Sequence, residues 1–304
     1  MFHQITIIGT GLIGGSFGLA VKKHGFRGRI VGCDRKQVLT KARKLGAIDR
    51  AVGDPIAACD GSDLVLLATP VGGIVELIEK LAPHSTPGTL LTDAGSTKSE
   101  VLRAASRAFG ADATECFLGG HPMAGKENSG IEFADADLFR GAVWFLTPQP
   151  GQSLNDKKAR AFTGLLKKIG ARVEELDPTD HDQLCAWISH VPQMISTALA
   201  ATLVEEYGPR APLLESGGRA LREMTRIAAS PYSMWRDIAL TNREPIADAL
   251  LKLEQQLAHI RENLDTRELE LAFGQAHKLK VNSPRRHGDT ENTNAKSRRS
   301  RLRA

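Results

Sequence analysis

The chain of 304 residues has no long hydrophobic run. A membrane-spanning helix requires about eighteen or more consecutive apolar residues, and no such stretch occurs. The first residues, 1–8, contain neither the basic region nor the small-residue cleavage site of a secretory signal. These absences predict a soluble, cytoplasmic protein that has no membrane partner.

Cysteine is scarce and scattered along the chain. Cys33, Cys59, Cys116 and Cys185 form no C-x-x-C pair, and the sequence shows no histidine cluster at the spacing of a zinc site. We therefore expect reduced thiols, mostly in the core, with neither a disulfide framework nor a bound metal.

The net charge of +5 is small, and the place of the charged residues in the sequence limits which partners it can indicate. Residues 281–304 hold seven basic and two acidic residues, so they account for the whole net charge. This segment is also poor in apolar residues, which predicts a disordered basic tail. Such a tail can make weak contacts with anionic polymers, but it indicates no specific nucleic-acid partner.

A regular alternation of apolar runs and helical stretches fills the first half of the chain. Strands are predicted at 4–8, 29–33, 64–68, 89–92, 116–118 and 143–146, with helices between them. Strands that read as continuous apolar runs are typical of a parallel sheet covered by helices on both faces. The prediction for residues 1–148 is an α/β domain with a Rossmann-type parallel sheet.

The pattern changes after a turn-rich stretch at 147–153. Apart from a short strand near 172–175, the rest is helical, with helices predicted at 183–206, 213–228, 234–240 and 245–277. This predicts an all-α domain over residues 149–280. One copy of a domain this small cannot cover the apolar faces of such long helices, so we expect a homodimer formed through the C-terminal helices.

A glycine-rich turn follows the first strand and opens the first helix. Gly9, Gly11 and Gly14 have the G-x-G-x-x-G spacing of dinucleotide-binding folds, and Asp34 ends the next strand twenty residues beyond Gly14. A carboxylate there accepts hydrogen bonds from ribose hydroxyls and repels a 2′-phosphate, which favours NAD. Arg35 leaves NADP open as the alternative. The other cofactor-binding positions predicted are Leu12, Ile13, Thr69 and Pro70.

Polar segments follow two later strands, at 93–98 and 119–130. The carboxyl ends of parallel strands open onto the crevice that binds ligands, so these segments predict site residues. The helical region contributes three further polar segments, at 189–193, 225–228 and 234–237. Each of the three also has a purely structural explanation when it is considered alone.

Taken in order, these segments resemble one family. Gly9–Ser16, Asp93–Lys98, His121–Gly125, Ser189–Pro192, Thr225–Ala228 and Met234–Asp237 are similar to the motifs of the prephenate/arogenate dehydrogenases, and the resemblance covers residues 4 to about 275. It implies NAD-dependent oxidative decarboxylation in tyrosine biosynthesis. Prephenate would give 4-hydroxyphenylpyruvate, and arogenate would give tyrosine.

The resemblance also implies roles for individual residues. His121 matches the catalytic histidine, since a neutral imidazole can accept the hydroxyl proton as hydride leaves. Ser96 matches a serine that bonds the substrate hydroxyl near the nicotinamide, and His190 a second histidine that positions the substrate. Arg226 matches the clamp on a substrate carboxylate, a task that suits a guanidinium better than an ammonium.

The side-chain preference of the substrate stays open at this level. Gln193 stands where many prephenate-using relatives have another histidine, and Lys126 replaces a small hydroxyl residue. Glu127 could pair with a substrate ammonium or only cap its loop. We adopt prephenate and keep arogenate as the alternative. A β-hydroxyacid-type dehydrogenase, which would rely on a catalytic lysine, and a non-catalytic NAD-binding module are the competing interpretations.

Overall fold

The computed structural model describes residues 2–126, 128–208 and 216–282. Within them, eight strands form one sheet of order β3-β2-β1-β4-β5-β6-β7-β8. The strands are β1 Gln4–Ile8, β2 Arg29–Cys33, β3 Arg50–Val52, β4 Leu64–Leu67, β5 Leu90–Asp93, β6 Phe117–Pro122, β7 Val143–Thr147 and β8 Arg172–Glu175. The strand order reverses between β1 and β4, which is where sheets of this type bind ligands beyond the carboxyl ends of the strands.

Helices connect the strands and then make up the remaining described chain. They are α1 Leu12–Lys23, α2 Lys36–Lys44, α3 Pro55–Cys59, α4 Val71–Leu81, α5 Ser99–Phe109, α6 Ala113–Cys116, α7 Lys157–Lys168, α8 Pro178–Cys185, α9 Val191–Tyr207, α10 Gly218–Thr225, α11 Tyr232–Thr241, α12 Arg243–Glu262 and α13 Arg267–Asn282. A π-helical turn, Ala186–His190, joins α8 to α9, and a 3₁₀ turn, Arg226–Ala229, follows α10. This architecture confirms the predicted fold class.

Two hydrophobic clusters cover the two faces of the sheet. In β4, Leu64 and Leu66 belong to one cluster while Val65 and Leu67 belong to the other, because successive side chains of a strand point to opposite faces. The first cluster also contains Phe17, Trp144 and Phe162, and the second contains Ile74, Ile78 and Val101. Burial on both faces explains why this strand reads as an unbroken apolar run.

One strand runs against the predicted parallel direction. β7 pairs with β6 in antiparallel register, with His121 opposite Phe145, whereas β8 is parallel to β7. The described part of the connection from β6 to β7 contains a 3₁₀ turn, Ile131–Phe133, and no crossover helix. A parallel pair requires such a crossover, so the chain returns beside β6 in the opposite direction.

The sheet also extends beyond the domain boundary expected after residue 148. β8 completes the sheet edge by pairing with β7, so α7 and β8 belong with the sheet rather than with the helices that follow. The described residues up to Ala249 form one compact unit, and those from Leu250 onward form a second.

The predicted helix at 245–277 is two helices instead of one. α12 ends at Glu262, and α13 begins at Arg267 after a turn in which Thr266 Oγ1 accepts a hydrogen bond from the Glu268 amide. Hydroxyl and amide side chains compete for backbone hydrogen bonds, which favours a break over a continuous helix.

Two predicted features fall wholly or partly outside the described residues. Glu127 is one, and almost all of the basic tail, from residue 283 onward, is the other. Among the residues that the structure does describe, no helix is long and apolar enough to cross a membrane. The four cysteines carry free thiols.

Candidate active site

The glycine turn is shaped by close approaches of the backbone. Gly9 has a φ of 91°, and a side chain there would meet the carbonyl of Ala68 at 2.6 Å. A Cβ on Gly14 would lie 2.0 Å from the carbonyl oxygen of Gly9. Both contacts are far below any real Cβ distance, so these two glycines are required by packing within the protein.

Gly11 differs, because a Cβ at this position would meet no protein atom within 4 Å. It lies at the N-terminus of α1, where Leu12 and Ile13 begin the first turn. First-turn amides have no partner within their helix and stabilise anions. Thr69 and Pro70 follow β4 beside Gly9, at the same edge of the sheet. This open edge fits the pyrophosphate of a dinucleotide.

Asp34 stands at the end of β2, close to the glycine turn. Its Oδ2 accepts a hydrogen bond from the Thr10 amide at 2.8 Å, and its Oδ1 accepts one from the Arg35 amide at 2.7 Å. The Arg35 side chain is 89% exposed, with Nε 4.0 Å from the carboxylate. A groove next to Asp34 is lined by Asp34, Lys36, Leu39, Thr40, Arg43, Lys44, Ala51 and Gly53.

His121 lies near the end of β6 and is only 7% exposed. Its Nδ1 is 2.9 Å from Nε2 of His181, on α8. The hydrogen bonds found for His121 among the described residues all involve Nδ1, not Nε2. Burial, together with the neighbouring His181, Lys98 and His190, holds the pKa of His121 well below its usual value of 6.5. His121 is therefore a neutral imidazole at neutral pH.

His181 and Asp182 support His121 from behind. The Nδ1 of His181 lies 2.9 Å from Oδ1 of Asp182, and the ring of Phe145 meets the His181 ring edge-on at 5.5 Å. Burial lowers the pKa of His181, although the hydrogen bond to Asp182 opposes the shift. Burial raises the pKa of Asp182, but hydrogen bonds from His181, Ser99 and Lys98 keep it below its usual value. Asp182 is therefore ionised.

Sequence reasoning did not identify His181, Asp182 or Cys185 as site residues. The available signal was a histidine between two aspartates, Asp180–Asp182, at the start of the helical region. His121, His181 and Cys185 bring three possible metal-ligand atoms within 4.8 Å of one another. Only the tertiary fold brings His121 to the other two, because it lies 60 residues before His181 in the sequence.

The loop from Asp93 to Lys98 is tied to β6 by a buried ion pair. The Lys98 ammonium contacts Asp93 and donates to the carbonyl oxygen of Gly120 at 2.8 Å. Asp93 in turn accepts hydrogen bonds from the amides of Gly95 and Gly120. Because Asp93 and Gly120 already hold its ammonium, the buried Lys98 is a structural residue and does not fit the catalytic lysine of the competing interpretation. Ser96 lies within this loop and is half-buried.

His190 ends the π-helical turn and is completely buried. Asn242 Nδ2 lies 3.0 Å from its Nδ1, and an amide nitrogen can only donate, so Nδ1 accepts and Nε2 carries the proton. That Nε2 is buried and has no partner among the described residues. Burial lowers the pKa of His190 to about 4, which keeps it neutral. Single π-turns are frequent at functional sites.

Gln193 and Arg226 share a second groove. Gln193 is 4% exposed, and its Nε2 donates to the carbonyl oxygen of Ile227 at 2.9 Å and to Thr197 at 3.2 Å. Gln193 therefore holds the 3₁₀ turn that Arg226 begins, in addition to facing the groove. The groove is lined by Gly125, Lys126, Asn128, Ile188, Ser189, Pro192, Gln193, Arg226, Ile227, Ser230 and Trp235.

The ring of Trp235 connects this groove with His190, since the two rings meet edge-on with centroids 6.0 Å apart. Lys126 also faces the groove, but its ammonium bonds the carbonyl oxygen of Phe133 and the carboxylate of Asp135. Open backbone amides after β1 and a neutral imidazole on β6 of the same sheet are typical of a nicotinamide-dependent dehydrogenase. The Rossmann-type sheet and the helices after it fit that class.

The chain belongs to the prephenate dehydrogenase family. Residues 17–175 match the prephenate dehydrogenase nucleotide-binding domain, and residues 177–276 match the prephenate dehydrogenase dimerization domain. The prephenate dehydrogenase of Lactococcus lactis subsp. cremoris is 35% identical over 287 residues, which cover 91% of this chain and 76% of that protein. These matches confirm the resemblance found in the motifs.

Solved structures agree with this assignment. The crystal structure of A. aeolicus prephenate dehydrogenase in complex with hydroxyphenyl propionate and NAD⁺ has a TM-score of 0.83 and 32% identity, covering 92% of this chain and 98% of the other. The structure of Synechocystis arogenate dehydrogenase has a TM-score of 0.74 and 28% identity, covering 91% of this chain and 99% of the other.

Proposed function

We propose that this protein catalyses the NAD-dependent oxidative decarboxylation of prephenate to 4-hydroxyphenylpyruvate. The observation that carries the proposal is His121, a buried neutral imidazole at the carboxyl edge of the sheet whose Nδ1 is engaged by His181, which leaves Nε2 for the substrate. A base of this kind suits the oxidation of a ring alcohol, because the hydroxyl must lose its proton as the carbon loses hydride.

NAD, when bound, supplies the hydride acceptor. The glycine turn, with Leu12, Ile13, Thr69 and Pro70, holds the pyrophosphate side of the cofactor, and Asp34 receives the adenosine ribose. The groove beyond Asp34 also contains Lys36, Arg43 and Lys44, which gives NADP a specific competing argument.

The chain's own residues then divide the work on the substrate. His121 accepts the proton of the ring hydroxyl through Nε2, while Ser96 bonds the same hydroxyl. His190 is held neutral with its proton on Nε2, so it donates a hydrogen bond and does not exchange the proton. Arg226 clamps a substrate carboxylate, for which its planar guanidinium provides two parallel hydrogen bonds.

The choice between prephenate and arogenate depends on the groove around Arg226. Gln193 commits its donor nitrogen to Ile227 and Thr197, so only an amide oxygen is left for a ligand. An amide oxygen accepts a hydrogen bond from an ammonium, which is the feature that favours arogenate. The relatives include proteins named for each substrate. We keep prephenate as the proposal and arogenate as the second candidate.

Spectrophotometric assays of NADH formation test the function directly. Each substrate is offered with NAD and, separately, with NADP, and kcat/KM is determined for all four combinations. We expect the highest value with prephenate and NAD. A higher kcat/KM with arogenate would transfer the assignment to the second candidate. If neither substrate reduced NAD or NADP, the proposed dehydrogenase function would be refuted.

Replacing Asp34 tests the cofactor assignment. Asp34→Ser removes the carboxylate that repels a 2′-phosphate, so the preference for NAD over NADP should fall by roughly tenfold. An unchanged preference would show that another part of the groove selects the cofactor.

We also propose a domain boundary near residue 176. The boundary is supported by the end of the sheet at Glu175 and by the two matched ranges.

We further propose that the protein is a homodimer and lies in the cytoplasm. The dimer is supported by the matched dimerization domain and by exposed apolar side chains on the last helices, including Leu257, Leu271 and Phe273. Sedimentation at micromolar concentration should give twice the mass of one chain, and cell fractionation tests the location.

A further inference from the structure

We propose that His181 and Asp182 form a hydrogen-bonded relay that fixes His121 in the tautomer with its proton on Nδ1. Nε2 of His121 is then left as a lone pair that can accept the hydroxyl proton of the substrate. His181 and Asp182 are positioning residues, because they act through His121. The catalytic part of this inference rests on the proposed function, whereas the tautomer itself does not.

The direction of each hydrogen bond in the relay follows from Asp182, its last member. Asp182 is an ionised carboxylate that can only accept, so His181 donates from Nδ1 across 2.9 Å. A neutral imidazole has one proton, and therefore Nε2 of His181 is an acceptor. His121 must then donate from Nδ1 across the second 2.9 Å contact. Its remaining nitrogen, Nε2, has no proton.

Asp182 is held in place by hydrogen bonds of its own, so it can determine the direction of the hydrogen bonds in the relay. Its Oδ1 accepts a hydrogen bond from the Lys98 amide at 2.7 Å, and its Oδ2 accepts one from the Ser99 amide at 2.8 Å. Its backbone carbonyl accepts a hydrogen bond from Asn242 at 2.8 Å. The carboxylate is thus fixed by backbone amides at the end of the loop that also carries Ser96. The position of this loop relative to His121 is therefore fixed as well.

The proton balance of the step is simple. The O–H bond of the substrate breaks as an N–H bond forms at Nε2 of His121, and one positive charge appears on the imidazole. The Nδ1–H of His121 still bonds His181, and the negative charge of Asp182 lies beyond it. The pair therefore stabilises the imidazolium without receiving the proton, as the carboxylate does in a Ser-His-Asp triad.

The same side chains could in principle bind a metal ion, together with Cys185. One feature favours hydrogen bonding instead. The separation of 2.9 Å between the two imidazole nitrogens is that of a hydrogen bond.

The tautomers can be measured directly, without substrate or cofactor. In the histidine-labelled full-length protein, long-range ¹H–¹⁵N correlation spectra at pH 7.5 distinguish a protonated ring nitrogen from a bare one. We expect the proton on Nδ1 in His121 and on Nε2 in His190. His190 serves as the internal control, because Asn242 imposes the opposite tautomer on it. A proton on Nε2 of His121 would overturn the proposal.

Asp182→Asn removes the negative charge behind His181 and keeps the shape of the side chain. The carboxamide oxygen can still accept hydrogen bonds from the Lys98 amide and from Nδ1 of His181, so the tautomers of His181 and His121 should stay as in the wild type. The imidazolium of His121 loses the charge that stabilises it, so kcat should fall by roughly tenfold or more, with the KM values within about threefold. Full turnover in this variant would refute the relay.

Two substitutions of His181 separate positioning from general structure. The Oε1 of glutamine in His181→Gln can accept the Nδ1–H of His121, whereas His181→Leu offers no acceptor. We expect kcat of the leucine variant to fall at least about tenfold below that of the glutamine variant, at similar KM. Equal kcat values, or loss of wild-type activity on treatment with EDTA, would contradict the relay.

These results are distinguishable from a failure of the proposed function. If the wild-type protein oxidises neither prephenate nor arogenate, the function is wrong, but the ring-nitrogen spectra still decide the tautomer. Thermal denaturation of each variant identifies any that has not folded. The wild-type spectra alone would then still support or overturn the relay.

Discussion

The glycine turn and the histidine cluster lie at the same sheet but are built in different ways. The turn uses a short stretch of backbone, from Gly9 to Gly14, and most of its geometry follows from missing side chains. The cluster uses three side chains, His121, His181 and Asp182, which come together from β6 and α8. One region offers shape and backbone amides, and the other controls where a proton resides.

Burial makes the electrostatics of the two regions different as well. Asp34, at the turn, keeps 18% of its side-chain surface exposed. His121 and His181 are removed from water, and burial is the largest cause of their lowered pKa values. We therefore expect changes in the turn to affect cofactor binding, and changes in the cluster to affect turnover and pH dependence.

The largest expected effect is that of His121→Asn. Loss of the general base should lower kcat at least about a hundredfold while the KM values change little, because such catalysis contributes about 10² to 10⁴ in rate. Steady-state kinetics measure it, with His84→Gln, an exposed histidine, as the control. Normal turnover in His121→Asn would show that the general base is not in this cluster.

Arg226→Ala should have the next largest effect, on substrate binding. A hydrogen bond to a charged group contributes about 1.5–3 kcal/mol, so KM for the substrate should rise by roughly tenfold or more with a smaller change in kcat. Arg222→Ala, on the exposed face of the preceding helix, is the matched control. An unchanged KM in the Arg226 variant would place the clamp elsewhere.

Two glycine substitutions test the turn itself. In Gly11→Ala the new methyl group meets no protein atom, so thermal stability should be kept while the Kd for NAD, measured by calorimetry, rises by about tenfold. In Gly14→Ala the methyl group clashes with Gly9, and overpacking of this kind costs about 1–3 kcal/mol. If Gly11→Ala lost stability and Gly14→Ala did not, our assignment of the two glycines would be reversed.

The smallest expected effect is the dependence of stability on pH. His121, His181 and His190 have lowered pKa values, so the unfolded chain binds more protons than the folded one below about pH 6.5. Their contribution is complete above that pH and is lost as the pH falls toward about 4, the pKa of His190. Tm should therefore decrease by several degrees between pH 7.5 and 5.

His84→Gln should keep the whole of this pH dependence, because His84 lies on the surface. The lowered pKa of Asp182 acts in a different window, since its contribution is lost only at pH values below its usual pKa of 3.8. A constant Tm between pH 7.5 and 5 would contradict the buried, neutral state of the three histidines.

The sequence was informative wherever the signal was local. Continuous apolar runs predicted six strands of the main sheet, and the glycine spacing with Asp34 predicted the dinucleotide edge. β3 escaped prediction because Arg50–Val52 is short and mostly exposed. The antiparallel direction of β7 was also missed, since apolar patterning does not distinguish strand directions when both faces are buried.

The same difference between local and distant signals applies to the candidate site. His121, His190, Gln193 and Arg226 were predicted as site residues from their motifs, but the residues that contact His121 and His190 were not predicted. Asp182 resembles an ordinary polar residue near the start of a helix, and only the fold brings it against the Lys98 and Ser99 amides. Lys98 appeared to be a polar site residue, and the structure instead buries it in an ion pair.

The amino-acid order alone was enough for the family, the Rossmann-type sheet and the glycine turn, because these depend on periodicity and on backbone freedom over a few neighbouring residues. Tertiary structure decided the ionisation of the buried histidines, the hydrogen-bond order that ends at Asp182 and the true extent of the sheet. The physical reason is that pKa values and hydrogen-bond directions depend on desolvation and on atoms about 3 Å away. Those atoms belong to residues remote in the chain, and no local pattern specifies them.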